Sequence, residues 1–291
     1  MEKRAAPTFV GPRRSVNVVG WVVSCFVPIT LFATLCWLVG FHIGSYGGFA
    51  CVVCACFAVP LYCYHNSQRC DKLDLDPSWY RFVFLWSLVA IFGGALAGLV
   101  IDATYLAQYR TYAGMRWKDA LNPSVENGQA NSDVGLARFS YGAGISRDLS
   151  MSFRNVDTYC VAPLTSNASE VTDFWIAGKN CCGGRELPSD FRCGDWQFAG
   201  SAGALRVLSD HDSLYYQLAV QQAEAHYGIK SAHPLFFTWE MHPDLAVKNL
   251  WLQGAQSFVA AVLVAGFTIV VAATVSVFMQ GGRPGIAKRS A

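Results

Sequence analysis

"GKNCCGGREL", residues 178–187, sets Cys181 beside Cys182 and follows the pair with Gly183 and Gly184. Adjacent cysteines can bond to each other only through a strained eight-membered ring, because a relaxed disulfide holds its α-carbons well apart. The doublet must look outward. Between residues 105 and 250 the other cysteines are Cys160 and Cys193. Neighbouring side chains in an extended or turning backbone point opposite ways, so one member of the doublet is expected to reach back to Cys160 and the other forward to Cys193. The sequence leaves open which takes which. Gly183 and Gly184 would let the chain turn sharply, since glycine tolerates positive φ. Each bridge would close a loop of about 10–20 residues and stabilise it by roughly 2–3 kcal/mol.

Other uses of this stretch fit less well. A redox pair is expected as Cys-x-x-Cys at a helix start, and the loop has none. A zinc site would need Cys or His ligands at local spacing. His211, His226, His233 and His242 share the loop, but their spacing fits no helix face. No metal, cofactor or catalytic residue is therefore assigned.

Outward from the doublet the composition changes. Of 291 residues, 53% are hydrophobic and only 14% charged, against about a quarter charged in ordinary soluble domains. Four apolar runs, 16–40, 47–64, 82–101 and 256–278, each reach or approach the roughly 20 residues that cross a bilayer as a helix. The second is the shortest and carries Pro60. The first is too long for a signal peptide and lacks a clean cleavage site, so it reads as a retained anchor. The expected domains are a tail at 1–15, spans 1–3 with short loops at 16–104, a large loop at 105–253, span 4 at 254–279 and a tail at 280–291. A net charge of +2 without basic runs excludes nucleic acid as a partner.

Basic residues set the expected orientation. Lys3, Arg4, Arg13 and Arg14 precede span 1, Arg69, Lys72 and Arg81 lie between spans 2 and 3, and Arg283, Lys288 and Arg289 follow span 4. Positive segments stay cytosolic, which leaves the large loop extracellular or lumenal. Asn167-Ala168-Ser169, an N-glycosylation acceptor pattern, and four loop cysteines agree with that side.

Four spans, a short first outer loop, a long second one and Cys181-Cys182-Gly183 within it resemble a tetraspanin. "ELPSDFRC", 186–193, is similar to a stretched form of the proline-to-cysteine motif that follows the doublet in that family. Three features depart from it: no cysteine lies in 239–253, Cys160 stands upstream of the doublet instead, and the loop between spans 1 and 2 is shorter than usual for that family. "LAVQQAEAHYGIKSAHPLFF", 218–237, is similar to a stretch of four-span proteins of unicellular algae. The tetraspanin resemblance implies an all-α membrane protein whose disulfide-stapled large loop is partly helical, a lateral organiser of other membrane proteins. It also implies S-palmitoylation at juxtamembrane cysteines, here Cys63 and Cys70.

Within the loop, spacing predicts a helix over 105–120 with Tyr105, Tyr109 and Tyr112 in register. Residues 122–152 read as irregular. A second helix is predicted over 213–227, capped by Asp212 and ended by Gly228, with Tyr216, Val220, Ala223 and Tyr227 as its buried stripe. Phe236, Phe237 and Trp239 crowd near span 4; exposed they would bind a partner, buried they would dock the loop on the membrane surface. Gly94 and Gly98 in span 3 form a Gly-x-x-x-Gly pattern suited to close helix packing. Cys25, Cys36, Cys51, Cys54 and Cys56 lie within spans as small apolar fillers.

The expectation is an all-α, multi-pass membrane protein acting by binding to the bilayer and to other membrane proteins, a homo-oligomer being one option. The alternatives are an accessory subunit of a larger membrane complex, or a channel or transporter. No ionisable residue lies near the middle of a span, which counts against the last.

Overall fold

A computed structural model describes residues 18–41, 46–72, 78–166, 172–183, 189–198 and 202–281. The chain divides into two compact units, Met1–Leu106 with Gln253–Ala291, and Ala107–Leu252.

The chain opens with helices α1 (Val18–Phe41), α2 (Tyr46–Lys72) and α3 (Ser78–Ile101). A π-turn (Asp102–Leu106) and helix α4 (Ala107–Gly114) follow. Strands β1 (Arg116–Leu121), β2 (Val134–Phe139), β3 (Gly144–Ile145), β4 (Met151–Arg154), β5 (Thr158–Thr165) and β6 (Phe174–Lys179) come next. Then come β7 (Cys182–Gly183), β8 (Asp190–Phe191), β9 (Gly203–Arg206), helix α5 (Asp210–Tyr227), β10 (Leu235–Trp239) and helix α6 (Pro243–Gly281).

Among the described residues, four helices are long and apolar enough to cross a membrane, as befits a multi-pass membrane protein. α2 runs unbroken through Pro60, a residue tolerated in spans because neighbouring groups re-satisfy the backbone. Close approach is written into α3. A β-carbon on Gly94 would meet the Phe32 carbonyl oxygen of α1 at 2.5 Å, and one on Gly98 would meet that of Cys36 at 2.7 Å. Without those side chains the two backbones touch, which is how helices associate where lipid removes the hydrophobic drive.

The second unit corrects the all-α expectation. It is built on an eight-stranded mixed sheet in the order β1-β2-β9-β10-β6-β5-β3, with β4 also paired to β5. β1 with β2 and β6 with β10 are parallel; the other pairs are antiparallel. Strands such as "FWIAGK" and "LFFTW" are buried on both faces, so they show continuous apolar runs and not the alternation of a half-exposed strand. The predicted helix over 105–120 ends at Gly114, and Arg116–Leu121 becomes the edge strand β1. Segment 122–152, expected irregular, supplies β2, β3 and the start of β4. Pairing across the sheet overrode local helical spacing.

α5 begins earlier than predicted. Ser209, not Asp212, is its N-cap, with the hydroxyl accepting the Asp212 amide at 3.2 Å. Asp212 sits instead in the first turn, where the helix dipole favours a carboxylate. Gly228, at φ 71, ends the helix. The buried stripe is Tyr216, Ala219, Val220 and Ala223, with Tyr227 at its margin.

Candidate functional site

The two faces of the sheet are closed differently. On one, α5 lays Tyr216, Val220 and Ala223 over Val161, Trp175 and Phe236. On the other, Cys160, Phe174, Phe237 and Trp239 form a cluster completed by Phe191 and Cys193, with Cys181 and Cys182 packed against it. That second cover is the cysteine segment, and it is the candidate site.

Its geometry starts from Cys160, at zero exposure in the middle of β5 and opposite Gly178 of β6. Cys160 is bonded to Cys182 with α-carbons 5.9 Å apart, and Cys181 to Cys193 with α-carbons 5.0 Å apart. Both separations lie in the ordinary disulfide range. The doublet is thus the pivot between a bridge back to β5 and a bridge forward. The bridges abut: the sulfurs of Cys160, Cys181 and Cys193 lie within 4.8 Å of one another. Gly178 makes the room, since a β-carbon there would come within 2.5 Å of the Cys181 sulfur and 2.8 Å of the Cys193 β-carbon.

Bonded sulfurs are not thiolates, so this trio offers no metal ligand set in the bridged form. Among the described residues, His211, His226, His233 and His242 join no cluster of three potential ligands.

The turn chemistry differs from the expectation. Gly183 lies in β7, paired with Asp190, and has no positive φ. Gly184 and the acceptor Asn167 lie outside the described residues. The left-handed backbone belongs to Asn180, φ 55, whose side chain bonds the Thr158 amide and Asp157, and to Gly194, φ 62. At Gly194 a β-carbon would lie 2.3 Å from the Trp239 carbonyl oxygen. Past Gly194, Asp195 grips the end of β10: its amide donates to the Trp239 carbonyl and its carboxylate accepts the Met241 amide at 2.7 Å.

No family model matches the chain, and no curated protein or solved structure matches it either.

Several described polar groups around the staple pair with one another. Asp190 pairs with Arg192 and, at 2.7 Å, with Arg147, and the two guanidinium groups hold its carboxyl below the usual carboxylate range. Arg147 also stacks over Trp196 at 4.6 Å, and Ser150 donates to the Ser189 carbonyl. Burial, with the Asp195 charge nearby, pushes the Glu240 carboxyl up.

Phe236, Phe237 and Trp239 are the core of β10, with Phe236 facing α5 and the other two facing the staple. As a partner patch they are withdrawn, since no partner reaches a buried strand. Gly94 and Gly98 pack on α1, inside their own bundle. Of the juxtamembrane cysteines, Cys63 is buried and Cys70 half-exposed. Asp195 and Gly178, which position the site, were not singled out in the sequence. An Asp one residue after a Gly, two after a bridged Cys, carried the turn signal that could have found Asp195.

Proposed function

We propose that the chain is a membrane organiser of tetraspanin type, binding partner membrane proteins through its spans and its stapled loop domain. One observation carries the reading. The apolar window of α6 is only 11% buried and that of α2 only 17%, against 44% for α1. Two spans thus leave most of their apolar surface for other helices or lipid, where van der Waals packing and small residues drive association. The groove between α3 and α6, about 590 Å³, is lined by Gly93, Leu96, Ala97, Ala260 and Ala261 with Ser257 as its hydroxyl. Such a lining supports binding over ion or solute conduction.

The positive tails and the Arg69, Lys72 and Arg81 connection support cytosolic termini with the loop domain extracellular or lumenal. Two bridges suit that oxidising side, Asn167 is then the glycan acceptor, and Cys70 is the more accessible acylation position. Among the described residues the polar groups of the staple pair with one another, which supports a recognition surface.

The test is affinity isolation of the full chain in a mild and then a stringent detergent, with bound proteins quantified against it. A sub-stoichiometric partner set that the stringent detergent removes is the expected outcome. Partners held at fixed stoichiometry in both would make the chain an accessory subunit, and isolation alone in both would end the organiser reading.

A further inference from the structure

The hydroxyls of the spans behave in two ways. Thr30, Thr104, Thr268, Thr274 and Ser276 each donate to a carbonyl three or four residues back in their own helix, at 2.7–2.9 Å. Such back-bonding satisfies a hydroxyl inside a helix without outside help. Ser24 of α1 and Ser87 of α3 differ. Both have zero exposure, and neither oxygen has a hydrogen-bond partner among the described residues. An orphan hydroxyl deep in a bundle needs an explanation, because lipid offers it no partner.

The two serines belong to one place. α1 and α3 run side by side in the same direction: a β-carbon on Gly20 would meet the Trp79 ring at 2.9 Å, while Gly94 lies against Phe32 and Gly98 against Cys36. Seven residues before Gly94 is Ser87, and seven before Phe32 is Cys25. Counted from the other end, eight residues after Trp79 is Ser87, and eight after Gly20 is Pro28. Ser87 therefore lies across from the turn that Ser24 opens and Pro28 closes. Pro28, itself fully buried within α1, adds a third orphan. The carbonyl of residue 24 would accept from the amide of residue 28, and proline has no amide hydrogen.

The geometry points to a water molecule bound between α1 and α3, accepting from the Ser24 and Ser87 hydroxyls and donating to the Ser24 carbonyl. Three partners is the usual number for a buried water. The two hydroxyls do not bond each other, and one water spans such a gap with little loss of hydrogen-bond energy. The occupant is neutral. Residues 18–41 and 82–101 contain no Asp, Glu, Lys, Arg or His to balance an ion, and an unbalanced charge would be costly at that depth. The two ends of the interface are thus joined by different means: backbone contact at Gly94 and Gly98, and a shared water beside Pro28. This site is separate from the organiser reading and stands or falls without it.

The experiment exposes the full chain, in lipid nanodiscs and heavy-oxygen water, to a short X-ray pulse and maps heavy-oxygen uptake by peptide mass. A bound water is split where it sits and marks its neighbours. Cys25 and Pro28 are expected to be marked although both are buried. Cys36, buried at the same interface, and lipid-facing Phe26 are expected to stay unmarked. In a Ser24→Ala, Ser87→Ala double variant the marks at Cys25 and Pro28 fall to the Cys36 level, with Phe26 still unmarked as proof of an intact bundle. Each single variant lowers the thermal midpoint, because it takes one partner from the water; on a dry interface, removing an orphan hydroxyl would raise the midpoint or leave it alone. Three results overturn the proposal: Cys25 and Pro28 unmarked in the parent, marks that persist in the double variant, or a single variant whose midpoint holds or rises.

Discussion

Phe267 of α6 and Phe237 of β10 are the same residue put to opposite uses. The first is 73% exposed and the second fully buried. In the membrane unit, apolar side chains point outward by the dozen and specific association comes from backbones meeting at Gly94 and Gly98. In the loop unit, apolar side chains point inward, and a sheet with helix α5 on one face and two disulfides on the other holds them. The outward arrangement suits lipid, which rewards close packing, and the inward one suits water, which rewards removal of apolar area.

The contrast is broken most directly at its buried end. Phe237→Ala should destabilise the loop unit by about 3–5 kcal/mol, read as a lower denaturation midpoint of that unit by fluorescence. Phe267→Ala, outward-facing, should leave stability within about 0.5 kcal/mol of the parent; an equal loss at both positions would erase the distinction. Next in size, replacing Cys160 and Cys182 together by Ala should cost about 2–4 kcal/mol, visible in the same unfolding curve without reductant. Gly94→Val should cost about 1–3 kcal/mol by forcing α1 from α3, measured by thermal stability in detergent, with the loop bridges unchanged.

The smallest effect is electrostatic. Because burial raises the Glu240 carboxyl above its unfolded value, the folded state favours the protonated form. Its contribution is present below the ordinary carboxylate range and is lost as pH rises through the raised value. Glu240→Gln should therefore make the loop unit slightly more stable at neutral pH and flatten its pH dependence over mildly acidic pH. A less stable variant at neutral pH would reverse the assignment.

The two units were not equally legible in the sequence. A span announces itself by length and absence of charge, and 16–40 or 256–278 needs no knowledge of its neighbours. The strands do need it. "TYCVAPLT" and "LFFTW" lack period-two alternation because both faces are covered, and a short continuous apolar run reads equally as helix or strand. Bounding turn residues and aromatic content were the available signals. The resemblance to a helical loop pulled the reading the other way. The doublet was legible for the opposite reason: adjacency forbids a relaxed mutual bond, so local covalent geometry alone sent its members elsewhere. The specific partners, Cys182 for Cys160 and Cys181 for Cys193, needed the β7–β8 ribbon. What Phe236, Phe237 and Trp239 do was undecidable before the sheet order was known.

That sheet order also governs timing during synthesis. β10 sits between β9 and β6 in the middle of the sheet, yet it is the last strand to be made. At about 5–20 residues per second, the ribosome needs roughly 2–9 s to go from Cys193 to Trp239. All four staple cysteines have been made before that interval begins, while β5 and β6 still lack their central neighbour. The staple is thus available as a clamp on an unfinished sheet, holding the earlier strands in register until the last one arrives.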